Sequence, residues 1–145
     1  MEIGHVSKKV DMNDGEWVDD IPDLDGVRLK VRSTKFKPFE VASSALIRRF
    51  GKRLRTDEGV IAFRAASGGP LADHILIDWD MTKAEGSIAL TKEGKPLPYS
   101  REDARFVLTV DDDYGIGQIY RQGVEWAGDR VAEQIAARAE QVAGN

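Results

Sequence analysis

The sequence predicts a small α+β fold: a flexible segment at residues 1–14, then a single domain over residues 15–145. Three observations point there. Val27, Leu29 and Val31 alternate with Arg28, Lys30 and Arg32, the two-residue period of a strand with one buried and one basic face. Ile116, Ile119, Tyr120, Val124, Ala127, Val131, Ile135 and Val142 recur at helical spacing. Strand-like and helix-like stretches follow one another without the strict alternation of a doubly wound sheet.

The elements follow in chain order. Glu16–Ile21 and Val27–Val31 flank Pro22-Asp23-Leu24-Asp25-Gly26, whose residue types favour a turn, so the pair reads as an N-terminal β-hairpin. Pro38 suits the first turn of a helix, and Phe39, Ala42, Leu46, Phe50 and Leu54 give that helix an apolar stripe reaching to about residue 55. Thr56 caps a second helix with Val60, Ile61 and Phe63 as its buried side, and Ser67-Gly68-Gly69-Pro70 ends it. Leu71–Trp79 is apolar and reads as helix or strand. Glu93-Gly94 marks the turn of a second, short hairpin between Ser87–Leu90 and Pro96–Tyr99. Ser100 caps a short helix, with Asp103 at the reciprocal position. Asp111-Asp112-Asp113 caps the long C-terminal helix, which runs for roughly seven turns from about Tyr114 to about Val142. Gly115, Gly117, Gly123 and Gly128 weaken that helix and point to close backbone contact or a break. Ala136–Asn145 leave little to bury within the chain itself.

Hydrophobic residues make up 41% of the 145 and charged residues 32%, a globular balance, and there is no cysteine. That removes disulfides, thiolate nucleophiles and sulfur-ligated zinc, and suits a reducing compartment. No stretch reaches the roughly 18 apolar residues that span a bilayer, and Met1–Val10 lacks an apolar signal-peptide core. The net charge of −4 hides an asymmetry: residues 28–55 hold ten Lys or Arg against one acid, Glu40, and the rest holds 11 basic and 24 acidic residues. Within the basic stretch, Arg48, Arg49, Lys52, Arg53 and Arg55 fall between the apolar positions of the first helix, with Arg48/Lys52 and Arg49/Arg53 spaced i, i+4 on an outward face. Such a face fits an acidic protein surface, on another protein or on a second copy of the chain. It also fits nucleic-acid phosphates, with Phe36 and Phe39 as stacking rings, or the chain's own acids at Asp19–Asp25 and Asp111–Asp113.

Catalytic and metal motifs are not matched. Asp11–Gly15 places its glycine fifth where a calcium loop needs it sixth, and Pro22 stands where that loop needs glutamate. His5 and His74 are the two histidines; His74 lies among Asp73, Asp78 and Asp80 with no second nitrogen ligand nearby in sequence. Ser43 and Ser44 lack a nucleophile-elbow context, and Gly115-Ile116-Gly117 lacks the third glycine of a dinucleotide loop. The expectation is a non-enzymatic protein without cofactor or metal.

The run Ala72-Asp73-His74-Ile75-Leu76-Ile77-Asp78-Trp79-Asp80 is followed by Gly94-Lys95-Pro96-Leu97-Pro98-Tyr99-Ser100-Arg101-Glu102-Asp103-Ala104-Arg105. Together they resemble a pattern in small tailed-phage proteins, "I-L-x-D-W" and then "D-G-x-P-L-P-Y-S-x-E-x-A", with Glu93 in place of the usual aspartate. The upstream Gly15–Val18 and Val27–Arg32 resemble the start of such proteins. The family comprises tail assembly chaperones and related minor tail-morphogenesis proteins. The resemblance implies binding to the tape-measure or tail-tube protein during assembly, in the cytoplasm of a bacterial host. The alternatives are a structural component of the virion (neck, tail or capsid accessory protein) and a nucleic-acid-binding accessory that uses the basic helix 39–55. Trp79, Leu97 and Tyr99 belong to the part of the pattern that describes a core, and Trp79 is expected to be buried.

Overall fold

The computed structural model describes residues 14–110 and 115–144, with side chains as far as Val142. The loose segment expected at residues 1–13, His5 and the Asp111–Asp113 cap lie outside the described residues. The fold is α+β. Its strands are β1 (Glu16–Val18), β2 (Arg28–Val31), β3 (Leu76–Asp80), β4 (Thr91–Lys92) and β5 (Lys95–Pro96). Its helices are α1 (Lys37–Phe50), α2 (Asp57–Ala66), α3 (Arg101–Thr109) and α4 (Ile116–Gly144).

β1 and β2 form the N-terminal hairpin, with Trp17 opposite Lys30 and Val18 opposite Leu29. β1 stops at Val18, short of the expected Ile21. Ile21 and Leu24 instead sit in two hydrogen-bonded turns, Leu24 N–H to Ile21 O and Val27 N–H to Leu24 O, and are buried to 2% and 1% exposure. Val27, Leu29 and Val31 are all buried, as their alternation requires. β2 also pairs antiparallel with β3, giving a three-stranded sheet in the order β1-β2-β3. β4 and β5 form the second hairpin, turning on Glu93 and Gly94, both at positive φ.

Two expected boundaries shift. Gly68-Gly69-Pro70 is a helical turn that continues α2 past Ser67 rather than ending it, and it leads into a π-helical turn, Leu71–Ile75. The apolar run Leu71–Trp79 is therefore helical and then extended, with the change at Leu76. Gly68 and Gly69 are buried because α3 packs directly over this turn.

α4 is unbroken over 29 residues, about eight turns. Its glycines serve contact rather than breakage. A Cβ at Gly123 would meet Leu24 Cδ1 at 2.3 Å, and one at Gly128 would meet Thr34 Cγ2 at 2.8 Å. The Gly128 carbonyl accepts from the Thr34 N–H, and Thr34 Oγ1 donates to Asp129, so α4 is bonded to the chain leaving β2. Val142, expected on the buried stripe, is 44% exposed, because Ala136–Val142 run past the body. Among the described residues no helix is long and apolar enough to cross a membrane.

One buried cluster joins the sheet, the π turn, α3 and α4 through Leu29, Val31, Ile75, Trp79, Leu108, Tyr120 and Val124, among others. Tyr120 is fully buried, and its hydroxyl donates to the Ile88 carbonyl at 2.7 Å. Burial pushes this phenol's pKa far up, so it stays a neutral donor. Tyr120→Phe is expected to lower stability by about 1 kcal/mol, the usual net value of one such bond. Urea unfolding at unchanged slope checks this; an unshifted midpoint would mean that the bond contributes nothing.

Candidate protein-binding surface

The surface starts with α1. Pro38 lies in its first turn, where a missing N–H costs nothing, and the helix buries Leu46 and Phe50. Phe39 and Ala42 are half-buried beside them. The opposite face carries Lys37, Val41, Ser44 and Arg48 in one exposed stripe, with Ile47 and Arg49 on its two flanks.

α1 ends at Phe50 and not near residue 55. Gly51 takes φ 50, ψ −123, and its N–H bonds to the Ile47 carbonyl. A side chain there would strain the backbone, so glycine is what lets the chain turn off its helical path. Gly51–Arg55 form a separate 3₁₀ turn. The expected i, i+4 pairs Arg48/Lys52 and Arg49/Arg53 therefore do not share a helical face, and Leu54 is only half-buried on the turn.

Two local devices fix the turn. Thr56 Oγ1 accepts from the Gly59 N–H at 3.0 Å and donates to the Arg53 carbonyl at 2.9 Å, capping α2 and tying it to the turn. The Arg53 guanidinium lies 4.5 Å from the Phe50 ring centroid, and Phe50 meets Phe63 of α2 edge-on at 5.4 Å. Arg53 is thus held over an aromatic base and is not a loose side chain.

Arg48, Arg49, Lys52, Arg53 and Arg55 are all exposed, and among the described residues none of them makes an ion pair. Of the acids considered as internal partners, Asp19 instead bonds Arg28 at 2.6 Å. Apolar side chains flank the cations: Val41 is 55% exposed, Ile47 50% and Ile61 40%. Ile61 had been expected on the buried side of α2. Beside Ile47, a cavity of about 220 Å³ opens between α1 and α2, lined by Phe39, Ser43, Leu46, Phe63 and Leu71. Glu125 of α4 reaches its edge, where burial, and secondarily Asp129, push the carboxyl pKa up.

Trp79, Leu97 and Tyr99 meet on the far side of the sheet. The Trp79 indole N–H donates to the Leu97 carbonyl at 2.9 Å, and the Trp79 and Tyr99 rings pack edge-on at 5.1 Å. Trp79 is 5% exposed, and the three residues hold segment 97–99 against β3.

The acids near His74 have local duties. Asp73 takes Arg105 Nη1 on both oxygens at 2.7 and 2.8 Å. Asp78 accepts from the Trp79 N–H. Asp80 accepts from the Thr82 hydroxyl and N–H, which hold its carboxyl below the usual range. The His74 carbonyl accepts from Arg32. Among the described residues no group of three or more His, Asp or Glu is placed to hold a metal ion.

Sequence reasoning missed three features. Val41 and Ile47 fall off the Phe39–Phe50 stripe, a signal that asking which apolar residues leave the stripe would have found. The Asp73–Arg105 pair spans 32 residues and leaves no local signal. Arg121 is 9% exposed and donates to the Leu108 and Val110 carbonyls, closing the end of α3; nothing in the spacing separates it from a surface arginine. Comparison with known proteins finds no matching family, curated relative or solved structure.

Proposed function

We propose that this chain is a non-enzymatic assembly protein of long-tailed phages that binds a tape-measure or tail-tube protein during tail morphogenesis. The contact would run through α1 and the turn after it. One observation carries the reading as a binding protein: five exposed cations without an internal carboxylate stand beside exposed Val41 and Ile47. Like charges this close repel, and an acidic partner relieves them. Arginine suits that partner because its planar fork grips carboxylates in a bidentate way. Exposed apolar side chains inside such a patch supply the area that ion pairs alone do not. The assignment to phage tails rests on the sequence resemblance around Trp79 and Pro96–Ala104. It places the protein in the cytoplasm of a bacterial host during assembly.

The double reversal Arg49→Glu/Arg53→Glu tests this. Complex formation with purified tail-tube and tape-measure proteins is expected to fall at least tenfold by native mass spectrometry. Unfolding free energy is expected to stay within about 0.5 kcal/mol, since both side chains are exposed. An assembly factor is also expected to be missing from purified particles; presence at fixed copy number would instead make it a structural virion protein. If the reversed protein still captures its partner but loses salt-dependent affinity for DNA or RNA, the nucleic-acid reading replaces this one.

A further inference from the structure

We propose that the groove between α1 and α3 is a binding site for an acidic peptide segment, with Arg49 and Arg105 as its carboxylate clamps. This rests on the protein-binding reading above and names the place and chemistry of the contact. The groove is a cavity of about 360 Å³. Ala42 and Ala45 of α1 form one wall, Ala66 and Gly69 the floor, and Arg49 and Arg105 rise at opposite sides.

The charge balance points to an anion. Three arginines surround one carboxylate: Asp73 takes Arg105 at 2.7 Å and Arg101 at 3.5 Å, and Arg49 has no carboxylate among the described residues. The arginine side chains at the pair are 55% and 72% exposed. Arg105 reaches Asp73 through Nη1 alone. Its other edge lies over Gly69, where an added Cβ would come within 3.4 Å of Nη2, so the missing side chain leaves the guanidinium open towards the groove. A second carboxylate entering here meets Arg49 and the unused edge of Arg105, the bidentate geometry arginine favours.

The lining selects the source of that carboxylate. Alanine, glycine and proline make a smooth, shallow wall that a peptide backbone can approach closely. No aromatic ring lines the groove, so a single-stranded nucleic acid finds nothing to stack on. The net charge of −4 repels a long polyanion outside the basic face, whereas a short acidic segment is held by the local excess alone.

The test is a titration of the ¹⁵N-labelled full chain with the blocked tetrapeptide Ac-Glu-Leu-Asp-Glu-NH₂ at low salt, with inorganic phosphate and a 20-nucleotide oligothymidylate run in parallel. Amide shifts are expected at Ala42, Ala45, Arg49 and Gly69. Arg49→Glu is expected to weaken the peptide at least tenfold, and Lys92→Glu, with the same charge change on the remote hairpin, less than twofold. Equal weakening by both variants means a diffuse field and overturns the site. So does phosphate or oligothymidylate binding as tightly as the peptide, or the absence of any shift. Shifts centred on residues 52–55 overturn the groove while leaving the basic surface as the partner contact. Loss of partner capture in Arg49→Glu/Arg53→Glu without peptide binding here separates the two readings in the same way.

Discussion

Trp79→Ala is expected to lower the unfolding free energy by about 3–5 kcal/mol, the cost of emptying an aromatic core site. Trp79 stands in β3 opposite Leu29, 5% exposed. The truncation removes three things together: the buried ring, its edge-on contact with Tyr99, and the indole N–H that satisfies the Leu97 carbonyl. Segment 97–99 then loses its main hold on the sheet. Trp79→Phe keeps a ring and gives up the hydrogen bond, so it is expected to lose less, about 1–2 kcal/mol. Guanidinium unfolding followed by circular dichroism reads both variants. A Trp79→Ala protein with wild-type stability would show that the residue serves as a surface contact instead.

Gly68→Ala is expected to destabilise by about 3 kcal/mol, at the upper end of the usual overpacking range. Alanine ordinarily gains about 1 kcal/mol over glycine in a helix, so the sign runs against propensity. An added Cβ at Gly68 would lie 1.7 Å from the Leu108 carbonyl oxygen and 2.4 Å from its carbon. Both atoms are backbone and cannot rotate away. Nor can α3 simply withdraw, because Arg121 grips the same Leu108 oxygen at 3.0 Å. Either the clash stays or that bond is lost. A melting temperature at or above that of the parent would disprove the close approach.

Features with a local physical cause were legible in the sequence. The alternation Val27–Val31, the Glu93-Gly94 turn and the Ser100 cap each depend on residues within a few positions, and each is present. Features set across the chain were not. Gly-Gly-Pro reads as punctuation by propensity, yet Gly68 and Gly69 are helical because α3 leaves no room for side chains there. Nothing near β3 announces that β2 is its partner. The five cations were found as a group from their spacing, but the break at Gly51 depends on which φ the glycine adopts, and a glycine in sequence does not say. The groove at Asp73 joins residues from α1, the helical turn and α3, and so exists only after folding.

The pairing of Val31 with Leu76 has a consequence for how this surface can change. Residues 32–75, which carry α1, the basic turn and the groove's α1 wall and floor, leave the sheet at one rung and return at the same rung. They form a closed excursion whose two feet are bonded side by side. Substitutions on its outer face alter what is recognised without disturbing strand register. Diverging partners could therefore be matched by rewriting this excursion over an unchanged frame of strands and α4.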